Sequence, residues 1–418
     1  MTGALEPERV IGDLRELDRL TGGPDGARRV CWTDEWSAAR DFLRYRLAEL
    51  ELEVSIDPAG NLWAELAGEQ DGFVIVGSHV DSVPAGGWLD GALGVFTAVE
   101  VLRSRSGGEP PPVGLRLVDW ADEEGARFGA SLFGSSACAG TLELEAVRDL
   151  RDRDGERLED VVGRYAVDLS RAHESGARLG GARAYLELHI EQGPVLESRG
   201  EPAAAVLGTC GVERHTAIFT GQTAHAGATP MRLRRDSFAA AAQAALAIRE
   251  IGLRHEGGVC TVGGATSEPG VITAVAGRTA MLLDQRHLDA GVLATMLAEA
   301  REACAQAARD HGCEAELEHI WSIPPVHFDE RLVALARQAV VDAGGKDTAI
   351  PSGPLHDAAE MARLIPAAMI FSSSSPPVSH TKEEDTPEAD LRVAIEAFGR
   401  LVNSTLASAA AGELPARR

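Results

Sequence analysis

Four short clusters of His, Asp and Glu stand out because each follows an apolar run. Gly77-Ser78-His79-Val80-Asp81 continues through a Gly-rich turn to Asp90-Gly91. The others are Asp119-Trp120-Ala121-Asp122-Glu123-Glu124, His189-Ile190-Glu191-Gln192-Gly193-Pro194 and Ser379-His380-Thr381-Lys382-Glu383-Glu384. An imidazole can bind a metal through one ring nitrogen while a nearby carboxylate fixes its tautomer. Three neighbouring acids repel one another unless a cation or solvent screens them, and of two adjacent Glu residues one can ligate while the other holds a proton. Histidines and carboxylates without a thiolate suit two divalent ions bridged by a carboxylate. That donor set does not choose among Zn²⁺, Mn²⁺, Co²⁺ and Ni²⁺. A polar turn with a satisfied histidine would explain any one cluster; four clusters placed alike point to one site. No GxGxxG pattern accompanies them, so a dinucleotide loop is not expected.

The elements that must position these clusters are legible around them. Residues 73–77, 115–120 and 367–371 read as strands buried on both faces. Residues 185–190 alternate, so this strand can line a site on one side. Helices intervene: one begins at Thr33 as N-cap, with Asp34 and Glu35 in its first turn and Leu43, Leu47 and Leu50 on one face. Others cover 93–102 and 332–342, the latter stopped by Gly344-Gly345. Strand–helix alternation predicts an α/β sheet covered on both faces, with ligands at the carboxyl ends of its strands.

Residues 211–326 have another rhythm: a strand at 215–220, an Ala-rich helix at 236–251, strands at 259–262 and 279–283, and a helix at 292–310. This predicts an inserted α+β domain that splits a catalytic domain into 1–210 and 327–418. The small, polar tail from Ala407 is expected to fray.

The chain has 418 residues with 40 Lys+Arg against 64 Asp+Glu, a formal charge of −24. Such a surplus argues against sequence-independent nucleic-acid binding and against an anionic membrane surface. There is no apolar run of about 18 residues that could span a bilayer. The first eight residues lack the basic start and apolar stretch of a signal peptide. Six cysteines without a CxxC read as reduced, mostly buried thiols of a cytoplasmic protein.

The clusters resemble the co-catalytic two-metal aminoacylase and carboxypeptidase superfamily. Within it they look like the branch of N-carbamoyl-L-amino acid hydrolases, β-ureidopropionases and allantoate amidohydrolases. The blocks that carry the resemblance are 77–94, 123–140 (EEGARFGASLFGSSACAG), 189–194 (HIEQGP), 221–236 (GQTAHAGATPMRLRRD) and 353–385. They span most of the chain, and HIEQGP and AHAGATPM are the most specific to this branch.

The resemblance implies a dinuclear-metallopeptidase-like catalytic domain with a mixed sheet covered by helices, and an inserted ferredoxin-like lid that dimerises. It assigns His79 and His189 to one ion, Glu124 and His380 to the other, and Asp90 as the bridge. Glu123 would be the general base and Asp81 would orient His79. His225 would reach the site from the partner subunit of a homodimer and hold the developing oxyanion. Arg286 would clamp the carboxylate of a small anionic substrate, with Gln192, Thr273 and His356 close to that substrate. The implied reaction cuts an N-carbamoyl-L-amino acid to amino acid, ammonia and CO₂; allantoate, or an N-acyl amino acid or peptide, is the alternative. Two departures stand out. Gly270-Val271-Ile272-Thr273 replaces the family's usual Asn-x-x-Asn, and Gly353-Pro354-Leu355 stands where Gly-Ala-Gly is common.

Overall fold

The structure, a computed structural model, describes residues 5–417; residues 1–4 of the N-terminal segment and residue 418 of the tail lie outside it. The described chain forms two compact units. The first comprises the chain through Leu207, Phe328–Ser352, and the chain from His356 onward; the second comprises Gly208–His327 with Gly353–Leu355.

In the first unit four strands run parallel and adjacent: Ala367–Ser372, Ala182–Ile190, Gln70–His79 and Val113–Trp120. Antiparallel strands flank them, Ala203–Thr209 on one side and Leu62–Leu66 followed by Val54–Ile56 on the other. Side-chain alternation along the parallel strands feeds two cores. Val74, Val76, Leu115, Leu117, Leu186, Leu188, Ala368 and Ile370 join one, with the helices Pro7–Thr21, Asp34–Ala48, Ala92–Arg103 and Glu388–Ala410. Phe73, Ile75, Val118, Trp120, Tyr185, Met369 and Phe371 join the other, with the helix Asp357–Ala362. Burial on both faces explains why these strands read as near-continuous apolar runs. Thr33 caps its helix as the sequence predicts, accepting from Trp36 N at 3.3 Å.

The second unit follows the order Gly211–Thr220, helix Ser237–Arg254, Val259–Glu268, Arg278–His287, helix Ala290–Asp310, Glu314–Ile323. Its four strands form an antiparallel sheet in which Arg278–His287 and Gly211–Thr220 are central. This βαββαβ order with the first and third strands inside is the ferredoxin-like arrangement. One side of the sheet packs Ala217, Phe219, Met281 and Leu283 against Ala244, Ile248, Met296 and Ala300 of the helices.

Three features differ from the sequence expectations. The strand Glu314–Ile323 was not anticipated; its alternation of Ala315 and Leu317 with glutamates is cut short by a register shift between His319 and Trp321. The helix Pro7–Thr21 was not among the expected elements; it buries Val10, Ile11, Leu14 and Leu17 on one stripe. The tail does not fray at Ala407. The last helix runs to Ala410, Leu414 is buried, and Arg417 N donates to Ala182 O at 2.8 Å. Leu414 thus joins the core, and Arg417 ties the end of the tail to the start of a sheet strand through Ala182 and Gly181.

Candidate active site

All four clusters lie at the carboxyl ends of the four parallel strands, which end at His79, Trp120, Ile190 and Ser372. This is the edge where open α/β sheets place ligands. The loops leaving it are held in uncommon backbone conformations: Asp122, Gln192 and His380 all have positive φ, at 56°, 61° and 58°. Such strain concentrates where surrounding structure dictates a side-chain direction.

Asp90 is the centre of the geometry. Its Oδ1 lies 3.2 Å from His189 Nε2 and 3.8 Å from His79 Nε2. Its Oδ2 lies 3.6 Å from His380 Nε2, and His380 Nε2 is in turn 3.6 Å from Glu124 Oε2. One carboxylate thus faces two groups of donors with its two oxygens. His79, Asp90 and His189 form one cluster able to hold an ion; Asp90, Glu124 and His380 form another.

Both buried histidines present the correct nitrogen. His79 Nδ1 lies 3.1 Å from Asp81 O, and His189 Nδ1 lies 3.0 Å from Ile190 O. A carbonyl only accepts, so each Nδ1 carries the proton and each Nε2 lone pair turns toward Asp90. His189 Nε2 is buried without any hydrogen-bond partner. An orphaned imidazole nitrogen beside carboxylates in a thiolate-free set is what divalent-ion ligation requires, so the residues fit metal.

The electrostatics agree. Burial drives Glu123 and Glu124 well above the ordinary carboxylate range, and neighbouring carboxylates push them the same way. Burial opposes a charge on His79, yet Glu123, Asp81 and Asp90 raise it well above the usual imidazole range. Carboxylates crowded into a buried cluster raise one another and their imidazole neighbours alike, and a divalent cation held among them would relieve that concentration of negative charge.

Glu123 Oε2 lies 3.7 Å from His79 Nε2, and Glu123 belongs to neither ion-holding cluster. Asp81 does more than orient His79. Its carboxylate accepts from Glu123 N at 3.3 Å and Glu124 N at 3.2 Å, while its main-chain carbonyl is the closer partner of the imidazole. Gln192 turns its amide onto the cluster, donating from Nε2 to Asp90 Oδ2 at 2.9 Å, and its Oε1 is buried without a partner. His356 is buried 4.5 Å ring to ring from His189, with Nε2 3.0 Å from Ser352 Oγ. Burial first, then His189, holds it well below the usual imidazole range, so it is neutral. Glu187, His189 and His356 also approach one another closely. However, Glu187 already accepts from Ser78, Tyr185 and Ala358, and the lone pair of His189 faces Asp90.

His225, Thr273 and Arg286 belong to the second unit. His225 and Thr273 are exposed. Arg286 donates from Nε and Nη2 to Asp284 at 2.8 and 3.3 Å and from Nη1 to Gly353 O at 2.9 Å, so its guanidinium is fixed in place. Gly270 has φ 69°. Gly enters this left-handed region freely and brings no side-chain amide to it.

Sequence reasoning missed several supports. Glu384 is buried, accepts from Asp90 N at 3.2 Å and Ser379 Oγ at 2.6 Å, and is pushed up to about 7 by burial and by Asp90. Asp119 accepts from Val80 N at 2.9 Å and from Arg40 Nε at 2.7 Å, pinning the loop after His79. Arg29 donates from Nε to Val80 O at 2.8 Å, with Nη1 and Nη2 buried and unpartnered. The acids lay inside quoted clusters, but Arg29 and Arg40 carried no local signal.

Known proteins share this arrangement's framework. Residues 75–404 match the family described as Peptidase family M20/M25/M40. The chain is 36% identical over 396 residues to an N-carbamoyl-L-amino acid amidohydrolase of Geobacillus stearothermophilus, covering 94% of this chain and 97% of that one. It is 32% identical over 397 residues to an allantoate amidohydrolase of Bacillus subtilis, covering 90% and 92%. A crystal structure of an amidase of the hydantoinase/carbamoylase family from Burkholderia multivorans matches with TM-score 0.88 at 32% identity, covering 97% of this chain and 99% of that one. With the family matched over most of its length and relatives matched nearly end to end, the chain belongs to peptidase family M20/M25/M40.

Proposed function

We propose that this chain is a metal-dependent amidohydrolase that cleaves a linear non-peptide C–N bond, with an N-carbamoyl-L-amino acid as substrate and amino acid, ammonia and CO₂ as products. The observation that carries the reading is Asp90, whose two oxygens face two separate donor pairs with Glu123 beside them and outside both. The similarity to the carbamoyl amino acid amidohydrolase supports the substrate class.

His79, His189 and Asp90 would hold one divalent ion, and Glu124, His380 and Asp90 the second; Zn²⁺, Mn²⁺, Co²⁺ and Ni²⁺ all suit these donors. Bound there, such ions polarise a carbonyl and acidify water. Glu123 takes the proton of the attacking water as it adds to the carbamoyl carbon, and returns it to the departing nitrogen as the C–N bond breaks. Asp81 keeps Glu123 and Glu124 in place through their main-chain amides. Arg286 meets the substrate carboxylate, a role its fixed guanidinium supports. The resemblance further supports a homodimer in which His225 of a second copy completes the site.

The test is an ammonia-release panel with metal-loaded protein, comparing N-carbamoyl-L-α-amino acids, N-carbamoyl-β-alanine, allantoate and dipeptides. Release of ammonia from the first group at the highest kcat/KM is expected. Turnover of dipeptides alone would overturn the proposal.

A further inference from the structure

Residues 22–29 run as a strap along the loop that leaves His79. Gly22–Gly23 pairs with Gly26–Ala27, and Ala27 N donates to Gly86 O at 2.8 Å. Two residues on, Arg29 N donates to Ser82 Oγ and Ser82 N donates to Arg29 O, both at 3.1 Å. Arg29 Nε donates to Val80 O at 2.8 Å. The strap therefore grips the residues on either side of Asp81, whose carboxylate accepts from the amides of Glu123 and Glu124. Both ties to Ser82 use the main chain at position 29, so they do not depend on its side chain.

The Arg29 side chain is fully buried, and its Nη1 and Nη2 have no hydrogen-bond partner among the described residues. Arg40, which braces the same loop through Asp119, is different. Its Nε lies 2.7 Å from Asp119 Oδ2, so one carboxylate matches its charge. No single carboxylate matches Arg29. The acids whose fields act on it are Asp18, Asp90, Glu384 and Asp81, in that order; burial pulls its pKa down and these four push it back. A buried guanidinium without a paired carboxylate is unfavourable. What offsets it here is a shared set of acids, and Asp90 among them belongs to both ion-holding clusters.

We infer that Arg29 is the internal counter-cation of the ion-holding acids: it neutralises them in the metal-free protein and opposes each divalent ion that binds. This rests on the two-ion reading above, and it makes Arg29 a positioning residue that acts through Asp81 and Asp90. Two consequences follow. Asp81, Asp90 and Glu384 stay together without ions despite their like charge, and ions bind less tightly than the acids alone would hold them. At an effective dielectric constant of about 20, a unit charge about 10 Å from a divalent ion weakens its binding about tenfold or more.

Two substitutions separate the charge from the hydrogen bond. The Gln amide nitrogen reaches the position of Arg29 Nε, so Arg29→Gln keeps a donor for Val80 O and loses the charge. Arg29→Lys keeps the charge and loses that donor position. Calorimetric titration of chelator-stripped protein with Mn²⁺ at pH 8 measures affinity, and urea unfolding with and without Mn²⁺ gives an independent reading. Arg29→Gln is expected to bind Mn²⁺ about tenfold or more tightly than wild type. It should unfold at lower urea when stripped and show the larger rise in midpoint on adding Mn²⁺. Arg29→Lys is expected to bind within about threefold of wild type.

Unchanged affinity in Arg29→Gln, or weaker affinity in both variants, would overturn the inference. So would the reverse ranking, with Gln silent and Lys impaired, because Arg29 would then act only through its bond to Val80. If stripped Arg29→Gln does not fold, Mn²⁺ in the refolding mixture should rescue it, since the ions supply the missing charge; failure of that rescue would contradict the inference. None of these readouts needs turnover. A wild type that binds no divalent ion would contradict the proposed function together with this inference, whereas ions bound equally by all three proteins would contradict this inference alone.

Discussion

Gly91→Ala tests how tightly the turn after Asp90 is built around His79. Gly91 has φ 63° and ψ −47°, outside the left-handed α well near ψ +47°, so an alanine there costs at least as much as in that well, about 1–2 kcal/mol. A Cβ there would lie 2.4 Å from His79 Cε1, 2.5 Å from Nδ1 and 2.4 Å from the His79 carbonyl oxygen. Ordinary contact begins near 3.4 Å, so the imidazole or the turn must move by about 1 Å inside a close-packed region. Overpacking of this kind costs about 1–3 kcal/mol, giving a total destabilisation of about 2–5 kcal/mol. The chemical effect is of similar size, because a displacement of about 1 Å at a reacting centre can cost about 100-fold in rate, or about 2.7 kcal/mol. Urea unfolding of the metal-free protein measures the first, and ammonia release at saturating metal the second. A variant with wild-type stability and wild-type kcat would show that Gly91 is not the close approach described, and that the position of His79 is not set by this turn.

Other outcomes follow from the same geometry. Glu123→Gln should bind metal as the wild type does and lose about 10²–10⁴ in kcat, the range for a positioned proton-transfer group; retained kcat would remove Glu123 as the base. Mixed with His225→Ala chains, the same variant should regain activity if the site is shared between two copies, and unchanged inactivity would argue against sharing. Arg40→Met leaves Asp119 charged and buried beside the His79 loop, since Arg40 is 4% and Asp119 0% exposed. It should cost about 3–5 kcal/mol in urea unfolding, with part recovered by adding Asp119→Leu. Burial holds the Cys210 and Cys304 thiols up at about 11. At neutral pH they stay protonated, and alkylation should accelerate only as pH rises toward that value. Peptide mapping should find the half-buried Cys260 and Cys313 modified first, and rapid neutral-pH labelling of Cys304 would contradict its burial.

Most of the scaffold of the site was legible along the chain because its signals are local. A run such as Phe73-Val74-Ile75-Val76 declares a doubly buried strand, and the His and acid residues just beyond it declare what the strand end carries. His79, Asp90, Glu123, Glu124, His189 and His380 do meet at one sheet edge. What lay beyond sequence reasoning is pairing across distance. Trp32 donates to Asp122 across 90 residues and Glu384 reaches Asp90 across 294, and neither contact leaves a mark on spacing or composition. Asp81 shows the same limit on a smaller scale: the spacing His-x-Asp suggested a carboxylate by the ring, and Asp81 Oδ1 lies 3.5 Å from His79 Nδ1, but nothing local announced that its carbonyl would be closer or that its carboxylate would also accept from the amides of Glu123 and Glu124. The missed strand Glu314–Ile323 had its alternation in view, but the register shift near His319 hid it. No helix among the described residues is long and apolar enough to cross a membrane.

The central claim is that Asp90 joins two ion sites that serve amide hydrolysis. Its most direct test is to strip the protein by exhaustive dialysis against chelator, then titrate one divalent metal while following bound metal and ammonia release from an N-carbamoyl-L-amino acid. Activity is expected to vanish on stripping and to return with two ions bound per chain, and Asp90→Asn should lose both the second ion and the activity. Full activity in the stripped protein, or full recovery at one ion per chain, would contradict it.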